Sequence, residues 1–114
     1  MGQGMGITNH FAGIEPSRDE IDRLAEPMVI EFGAEWCGHC KAARSLIAAA
    51  LARHPQLGYL RIDDGPGRRL GRSFHVKLWP TLIFLREGIE LERLVRPTDA
   101  LAIEQALARI DPIS

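Results

Sequence analysis

Short runs rich in apolar and β-branched residues occur at four places in the chain, and each run predicts a β-strand. The four runs are Met28 to Ala34, Leu57 to Ile62, Thr81 to Leu85 and Ile89 to Leu94. Only Arg86-Glu87-Gly88 separates the last two runs. We therefore expect those two strands to form an antiparallel hairpin.

Apolar residues between the first two runs recur every three or four positions, which is the spacing of one helix face. This helix starts at or just after Cys37, and Pro55 should end it. An earlier helix begins at Ser17, which has capping-box spacing with Glu20. That first helix should end near Glu26-Pro27.

The C-terminal half predicts a short helix over about 68–74 and a final helix. Thr98-Asp99 supplies the N-cap of the final helix. Its inward positions are Leu101, Ile103, Leu107 and Ile110. The order α, β, α, β, α, β, β, α predicts an α/β fold, with a mixed central sheet and helices on both faces.

The length of 114 residues suits one domain. We assign residues 15–114 to that domain and expect residues 1–14, of which the first six are Gly-rich, to be flexible. The chain is 46% hydrophobic and 25% charged, as expected for a globular protein. Its net charge of −1 gives no field that attracts nucleic acid or an anionic membrane, so neither is an expected partner.

The apolar runs and the N-terminus predict neither a membrane span nor a secretory signal. Leu78 to Leu85 contains Pro80 and is far shorter than the roughly 20 residues that a membrane span needs. The N-terminus has neither a basic start nor an apolar block, so it does not read as a secretory signal. We expect a cytoplasmic protein, although a processed periplasmic protein would have the same sequence.

Both cysteines of the chain lie in the stretch WCGHC, at a strand-to-helix junction. The loop they would close is too small to constrain an unfolded chain much. Haem attachment needs His directly after the second cysteine, where Lys41 stands. Zinc fits poorly because a second cysteine pair is missing and the other histidines are scattered, so we expect no metal. Two thiols that merely pack would not explain a pair at this junction.

Redox chemistry fits the WCGHC stretch better than a stabilising disulfide, a metal site or passive packing. Cys37 lies where unpaired amide groups and the helix dipole favour a thiolate. Cys40, about one turn further along the helix, can attack a mixed disulfide formed at Cys37. His39 between them can carry a positive charge, which should stabilise the thiolate and make the disulfide more oxidising.

The segment VIEFGAEWCGHCK, Val29 to Lys41, resembles the active-site segment of the thioredoxin superfamily. RIDD, FHVKLWPTLIFLREG and the final helix fall where that family has its second strand, its Pro-Thr loop and its terminal helix. The resemblance covers about Glu15 to Ile110. It implies a thioredoxin-like fold.

The resemblance implies a role for each residue around the cysteines. Cys37 is the attacking thiol, Cys40 is the resolving thiol, and the two form the redox-active disulfide. Trp36 is the aromatic residue beside them. Glu31 falls where the family keeps a buried carboxylate, the proton acceptor when Cys40 attacks. An edge-facing glutamate is the alternative for Glu31.

The resemblance also implies a groove for substrate. Pro80 matches the family's cis-proline, and the backbone of Trp79 before it pairs with a bound substrate strand. Val95-Arg96-Pro97 stands where thioredoxins have a glycine that flanks this groove. Trp79 and Arg96 would give the substrate groove an aromatic, basic rim.

Three further departures from thioredoxins concern the active site itself. Gly38-His39 is typical of protein disulfide isomerases, where thioredoxins have Gly-Pro. Gly33 stands where thioredoxins commonly carry Trp. Tyr59 stands where they often carry a lysine near the buried carboxylate. The direction of electron flow and the recognition of the chain by a thioredoxin reductase therefore depend on these changes.

Together these features predict a monomeric thiol-disulfide oxidoreductase that exchanges disulfides with protein substrates, most simply as a cytoplasmic reductase. An electron-donating reductase is its expected partner, and no organic cofactor is implied. The alternatives are an exported oxidase or isomerase of the same fold, a non-catalytic adaptor that binds a protein partner, and a metal-binding module.

Overall fold

The computed structural model describes residues 7–11, 15–34, 37–65 and 69–111. These residues form a five-stranded sheet and four helices. In chain order they are β1 Ile7–Phe11, α1 Arg18–Asp22, β2 Met28–Gly33, α2 Gly38–Leu51, β3 Gly58–Asp63, α3 Leu70–Ser73, β4 Thr81–Arg86, β5 Ile89–Val95 and α4 Ala100–Ile110.

The sheet has the strand order β1-β3-β2-β4-β5. β2 pairs in parallel with β3, and α2 is the crossover between them. β4 runs antiparallel to both β2 and β5. The C-terminal end of β2 and the start of β4 therefore lie side by side at the same end of the strands, where α2 begins.

The sheet contains parallel and antiparallel pairs, and helices cover both of its faces. Both features confirm the predicted fold. The core on the α2 and α4 face includes Val29, Ile47, Leu82, Phe84, Ile103 and Leu107. The core on the α1 and α3 face includes Ile21, Ile30, Phe32, Phe74 and Ile83. β2 is buried along its whole length because it lies in the middle of the sheet.

Strand β1 was not expected, because residues 1–14 were predicted to be flexible. Ile7–Phe11 instead pairs in parallel with β3. The pairing gives the outer edge of β3 backbone partners that an exposed edge would lack. Residues 1–6 and 12–14 of that segment lie outside the described residues.

Two helix expectations were also wrong in detail. Helix α1 has the predicted Ser17/Glu20 capping box but ends at Asp22, not near Glu26-Pro27. The carbonyl of Asp22 packs against Gly88 in the β4–β5 turn, so a tertiary contact fixes where α1 stops. Leu101, predicted to face inward, is 61% exposed at the start of α4.

The described helices include no membrane span. In the part of the chain that the structure describes, none combines the length and the apolar character that crossing a bilayer requires.

Candidate active site

Cys37 caps helix α2, as the sequence predicted for the helix start. Its backbone is extended, with φ −76° and ψ 116°, and its sulfur stands where capping residues usually present an oxygen. The backbone N–H of Cys40 donates a hydrogen bond to Cys37 Sγ over 3.1 Å. The two sulfurs are not bonded to each other, so the structure represents the dithiol form.

Cys40 lies deeper than Cys37. The exposed fraction is 6% for Cys37 and 0% for Cys40. Burial, followed by the hydrogen bond with Cys37, raises the pKa of the Cys40 thiol to about 12. Cys40 therefore keeps its proton at neutral pH, whereas the amide that points at Cys37 Sγ favours negative charge on that sulfur.

Gly33 at the end of β2 makes room for Cys40. A Cβ at this position would stand 2.5 Å from Cys40 Sγ, closer than side chains pack. The missing side chain lets the start of α2 approach the end of β2. The departure from the thioredoxin pattern at Gly33 was visible in the sequence, but its contact with Cys40 was not.

Glu31 is fully buried on β2, beneath the cysteines. The alternative of an edge-facing glutamate is wrong, because β3 and β4 flank β2 on either side. Glu31 Oε2 and Cys40 Sγ both lie within 4 Å of the point where a Gly33 Cβ would stand. No hydrogen bond to Oε2 is present among the described residues. One carboxylate oxygen of Glu31 thus faces the side where Cys40 lies.

The other oxygen of Glu31 has partners on β3. The hydroxyl of Tyr59 donates a hydrogen bond to Oε1, and Arg61 Nε lies 4.0 Å away. Burial, reinforced by the charge of Glu31, raises the pKa of Tyr59, so its hydroxyl stays protonated and remains a donor. The sequence marked Tyr59 as a departure near the carboxylate but gave no signal for buried Arg61.

Trp79 and Pro80 lie across from the cysteines at the start of β4. The Trp79-Pro80 peptide bond is cis, as the resemblance implied. Trp79 packs against the cluster that Ala34 forms with the two cysteines. Its indole N–H donates to Asp64 Oδ2 over 3.0 Å. Burial raises the pKa of Asp64, and the indole hydrogen bond opposes that shift.

Arg96 follows β5 and turns back over the segment before β4. Its backbone is left-handed, with φ 52°, a conformation in which glycine is the usual residue. The Arg96 backbone N–H donates to Pro80 O, and its side-chain Nε donates to Trp79 O, each over 2.8 Å. Arg96 is therefore held at the rim that the sequence predicted.

His39 is exposed on the first turn of α2. Together with Arg96 it lines a cavity of about 210 Å³. The other described residues around this cavity are Ala42, Leu46, Pro97 and Thr98. Trp36, the remaining predicted site residue, lies outside the described residues.

Metal-binding groups do not cluster in the described part of the chain, where no three His, Cys, Asp or Glu side chains come together as ligands. Ala34 and the partly buried Trp79 pack with Cys37 and Cys40.

The thioredoxin family model matches residues 15–109. The chain belongs to the thioredoxin family. It is 37% identical to a thioredoxin of Chlamydia trachomatis over 75 residues, which is 65% of this chain and 74% of that one. It is 40% identical to human protein disulfide-isomerase A2 over 88 residues, which is 72% of this chain but 17% of that protein.

A solved structure supports the same assignment. The structure of reduced thioredoxin 2 from Pseudomonas aeruginosa superposes with a TM-score of 0.81. The two chains are 51% identical, and the match covers 91% of this chain and 96% of the Pseudomonas chain. As a member of the thioredoxin family, the chain is a thiol-disulfide oxidoreductase.

Proposed function

We propose that the Cys37/Cys40 dithiol reduces disulfides in protein substrates. The asymmetry of the two thiols carries this proposal. Cys37 receives an amide hydrogen bond at the helix start, whereas Cys40 is fully buried with its pKa raised to about 12. Such a pair has one sulfur ready to attack and one that holds its proton until it is needed.

The reaction proceeds in two exchanges. The Cys37 thiolate attacks one sulfur of the substrate disulfide, forms a mixed disulfide and releases the other substrate sulfur as a thiolate. Cys40 then attacks Cys37 Sγ, which breaks the mixed disulfide and releases the second substrate thiolate. The products are the Cys37–Cys40 disulfide and a reduced substrate, so two electrons pass from the protein to the substrate.

Glu31 takes the proton that Cys40 must lose in the second exchange. Its Oε2 is on the side of Cys40 and has no hydrogen bond from another described residue. Tyr59 holds the opposite oxygen, which fixes the direction in which the carboxylate presents Oε2. The carboxylate therefore has the position of a general base for Cys40.

Substrate binds as an extended strand against Trp79, beside Cys37. Pro80 has no N–H, so the pairing that the family resemblance implies involves the backbone of Trp79, whose carbonyl also accepts the Arg96 Nε–H bond. Arg96 and His39 flank this position. The family's general action on protein disulfides supports an extended protein segment as the ligand.

We assign the protein to the cytoplasm as a monomer, where a separate reductase returns electrons to Cys37 and Cys40. The similarity to bacterial thioredoxins supports this direction of electron flow. The Gly38-His39 pair favours a second candidate, an exported oxidase or isomerase, as does the match to protein disulfide-isomerase A2. The reduction potential distinguishes the two.

The proposal is tested by trapping the mixed disulfide. A Cys40→Ser variant retains Cys37 but lacks the resolving thiol, so it should stop after the first exchange. Reduced Cys40→Ser protein is mixed with a disulfide-containing protein such as insulin and quenched in acid. Mass spectrometry should find one substrate chain covalently attached through Cys37.

Cys37→Ser is the matched control, since it makes the same chemical change at the other position and should form no adduct. Absence of an adduct on Cys40→Ser, with Cys37 verified as reduced, would contradict the proposal. Full biological activity in the double variant Cys37→Ser, Cys40→Ser would favour the adaptor alternative.

A further inference from the structure

The groove beside Cys37 has a basic rim, which bears on the substrates it accepts. This inference rests on the proposed reduction of protein disulfides. Arg96 lies beside Trp79, where we propose that the substrate strand pairs. A cavity that Arg96 shares with His39 adjoins this position, between α2 and the segment that leads from β5 to α4.

Arg96 is anchored in a way that leaves most of its donors available. A guanidinium has five N–H donors in a fixed plane. One of them, on Nε, is used by Trp79 O at 2.8 Å, and the backbone of Arg96 is held by Pro80 O. Among the described residues, no acceptor or ion-pair partner engages the two terminal nitrogens. The side chain is exposed, so an incoming ligand can reach them.

The described ionisable residues that line the adjoining cavity are all basic. Its described lining holds two groups that can be cationic, Arg96 and His39, and no acidic residue. Two described acids in the surrounding segments have other partners. Asp64 accepts the indole N–H of Trp79, and Asp99 accepts the N–H of Leu101 at the start of α4.

We propose that Arg96 is a carboxylate receptor that makes the enzyme prefer disulfides flanked by Asp or Glu. A guanidinium held in one plane binds a carboxylate through two parallel hydrogen bonds, and prior anchoring lowers the entropy lost on binding. The cavity of about 210 Å³, lined by His39 two residues after Cys37, has room for one acidic side chain. Arg96 thus sets specificity, while Cys37 and Cys40 carry the chemistry.

The test uses oxidised peptides with one disulfide, in which a residue next to the cysteine is Glu or Gln. Reduced protein is mixed with each peptide, and the second-order rate constant of reduction is measured. Reduction by dithiothreitol gives the intrinsic reactivity ratio of the two peptides. After correction for that ratio, the Glu peptide should react about three- to tenfold faster, and added salt should reduce the preference.

Variants attribute the preference to Arg96. Arg96→Gln should lower the corrected Glu/Gln ratio to about one, and Arg96→Lys should retain part of it, because Lys has the charge without the planar fork. Arg86→Gln is the matched control. It removes the same charge from an exposed residue at the opposite end of β4 and should leave the ratio unchanged.

The outcomes separate this inference from the function on which it rests. A corrected ratio near one in the unmodified protein, with Glu on either side of the cysteine, overturns the role of Arg96. So does an Arg96→Gln variant that folds normally and keeps the full preference. If the reduced protein reduces neither peptide, the proposed reductase function itself fails.

Discussion

The buried thiol of Cys40 and the buried carboxylate of Glu31 both lie near the end of β2. At a pKa of about 12, Cys40 is almost entirely protonated near neutral pH and cannot act as a nucleophile without a base. Glu31 Oε2 lies on the same side, with no hydrogen bond from the other described residues. Each group is costly to bury alone, and the proposed reaction uses them together.

We predict that Glu31→Gln slows the second exchange about 10- to 100-fold, because the amide cannot take the Cys40 proton. The amide oxygen can still accept the Tyr59 hydrogen bond, so the local packing is retained. Stopped-flow measurements of a single turnover separate formation of the mixed disulfide from its resolution. The first exchange should slow much less than the second.

Tyr59→Phe is the control for this prediction, since it keeps the carboxylate and removes one hydrogen bond. It should cost about 1–2 kcal/mol of unfolding free energy. Its effect on resolution should be smaller than that of Glu31→Gln. An equal loss in both exchanges for Glu31→Gln would indicate a structural role for Glu31 instead of proton transfer.

The sequence predicted the site residues that belong to a recognisable motif, and it missed those that depend on contacts between strands. Cys37, Cys40 and Pro80 came from local patterns and from the family resemblance. Arg61 and Asp64 gave no local signal, because a polar residue at a strand or at its end is usually solvated. Their importance comes from Glu31 on the neighbouring strand and from Trp79 on a distant loop.

At the scale of elements, the pattern of apolar residues predicted the core strands and the crossover helix. It failed where an element depends on a distant partner. β1 lies in a Gly-rich segment and forms by pairing with β3, and α1 ends where Asp22 meets the β4–β5 turn. Propensity alone cannot report such contacts, since tertiary packing often overrides it.

The turn at Gly88 provides a test of this tertiary contact. Gly88 has φ 77°, and an added Cβ would overlap the backbone carbonyl of Asp22. We predict that Gly88→Ala lowers the unfolding free energy by about 2 kcal/mol or more, through backbone strain and the clash with α1. Urea unfolding of the reduced protein measures this loss.

Gly38→Ala is the matched control for Gly88→Ala. Among the described residues, no neighbouring atom lies within 4 Å of an added Cβ at Gly38, which is the first residue of α2. This change should be neutral or stabilise the protein by up to about 1 kcal/mol. Similar losses in both variants would show that the contact between the turn and α1 does not contribute to stability.

For the whole molecule, redox state and stability are linked by a thermodynamic cycle. Any group that stabilises the dithiol form relative to the disulfide form raises the reduction potential by the same free energy. For this two-electron couple, about 30 mV corresponds to 1.4 kcal/mol. Potentials near −270 mV are typical of thioredoxin and those near −180 mV of protein disulfide isomerase, so the potential reports whether the molecule reduces or oxidises its substrates.

We expect this balance to depend most directly on His39. It lies in the first turn of α2 and is exposed, two residues after the Cys37 cap. A positive imidazolium there stabilises the Cys37 thiolate and therefore the dithiol form. Proline fits the first turn of a helix, where its missing N–H removes no helical hydrogen bond.

We predict that His39→Pro lowers the reduction potential by about 30 mV or more, measured in glutathione or dithiothreitol redox buffers. The cycle then requires the disulfide form to gain the same free energy relative to the dithiol form, which urea unfolding of both forms measures independently. His39→Gln removes the charge without the proline ring and should move the potential in the same direction. If neither variant changes the potential, the charge of His39 does not set the direction of electron flow, and the Gly-His pair is no argument for an oxidase.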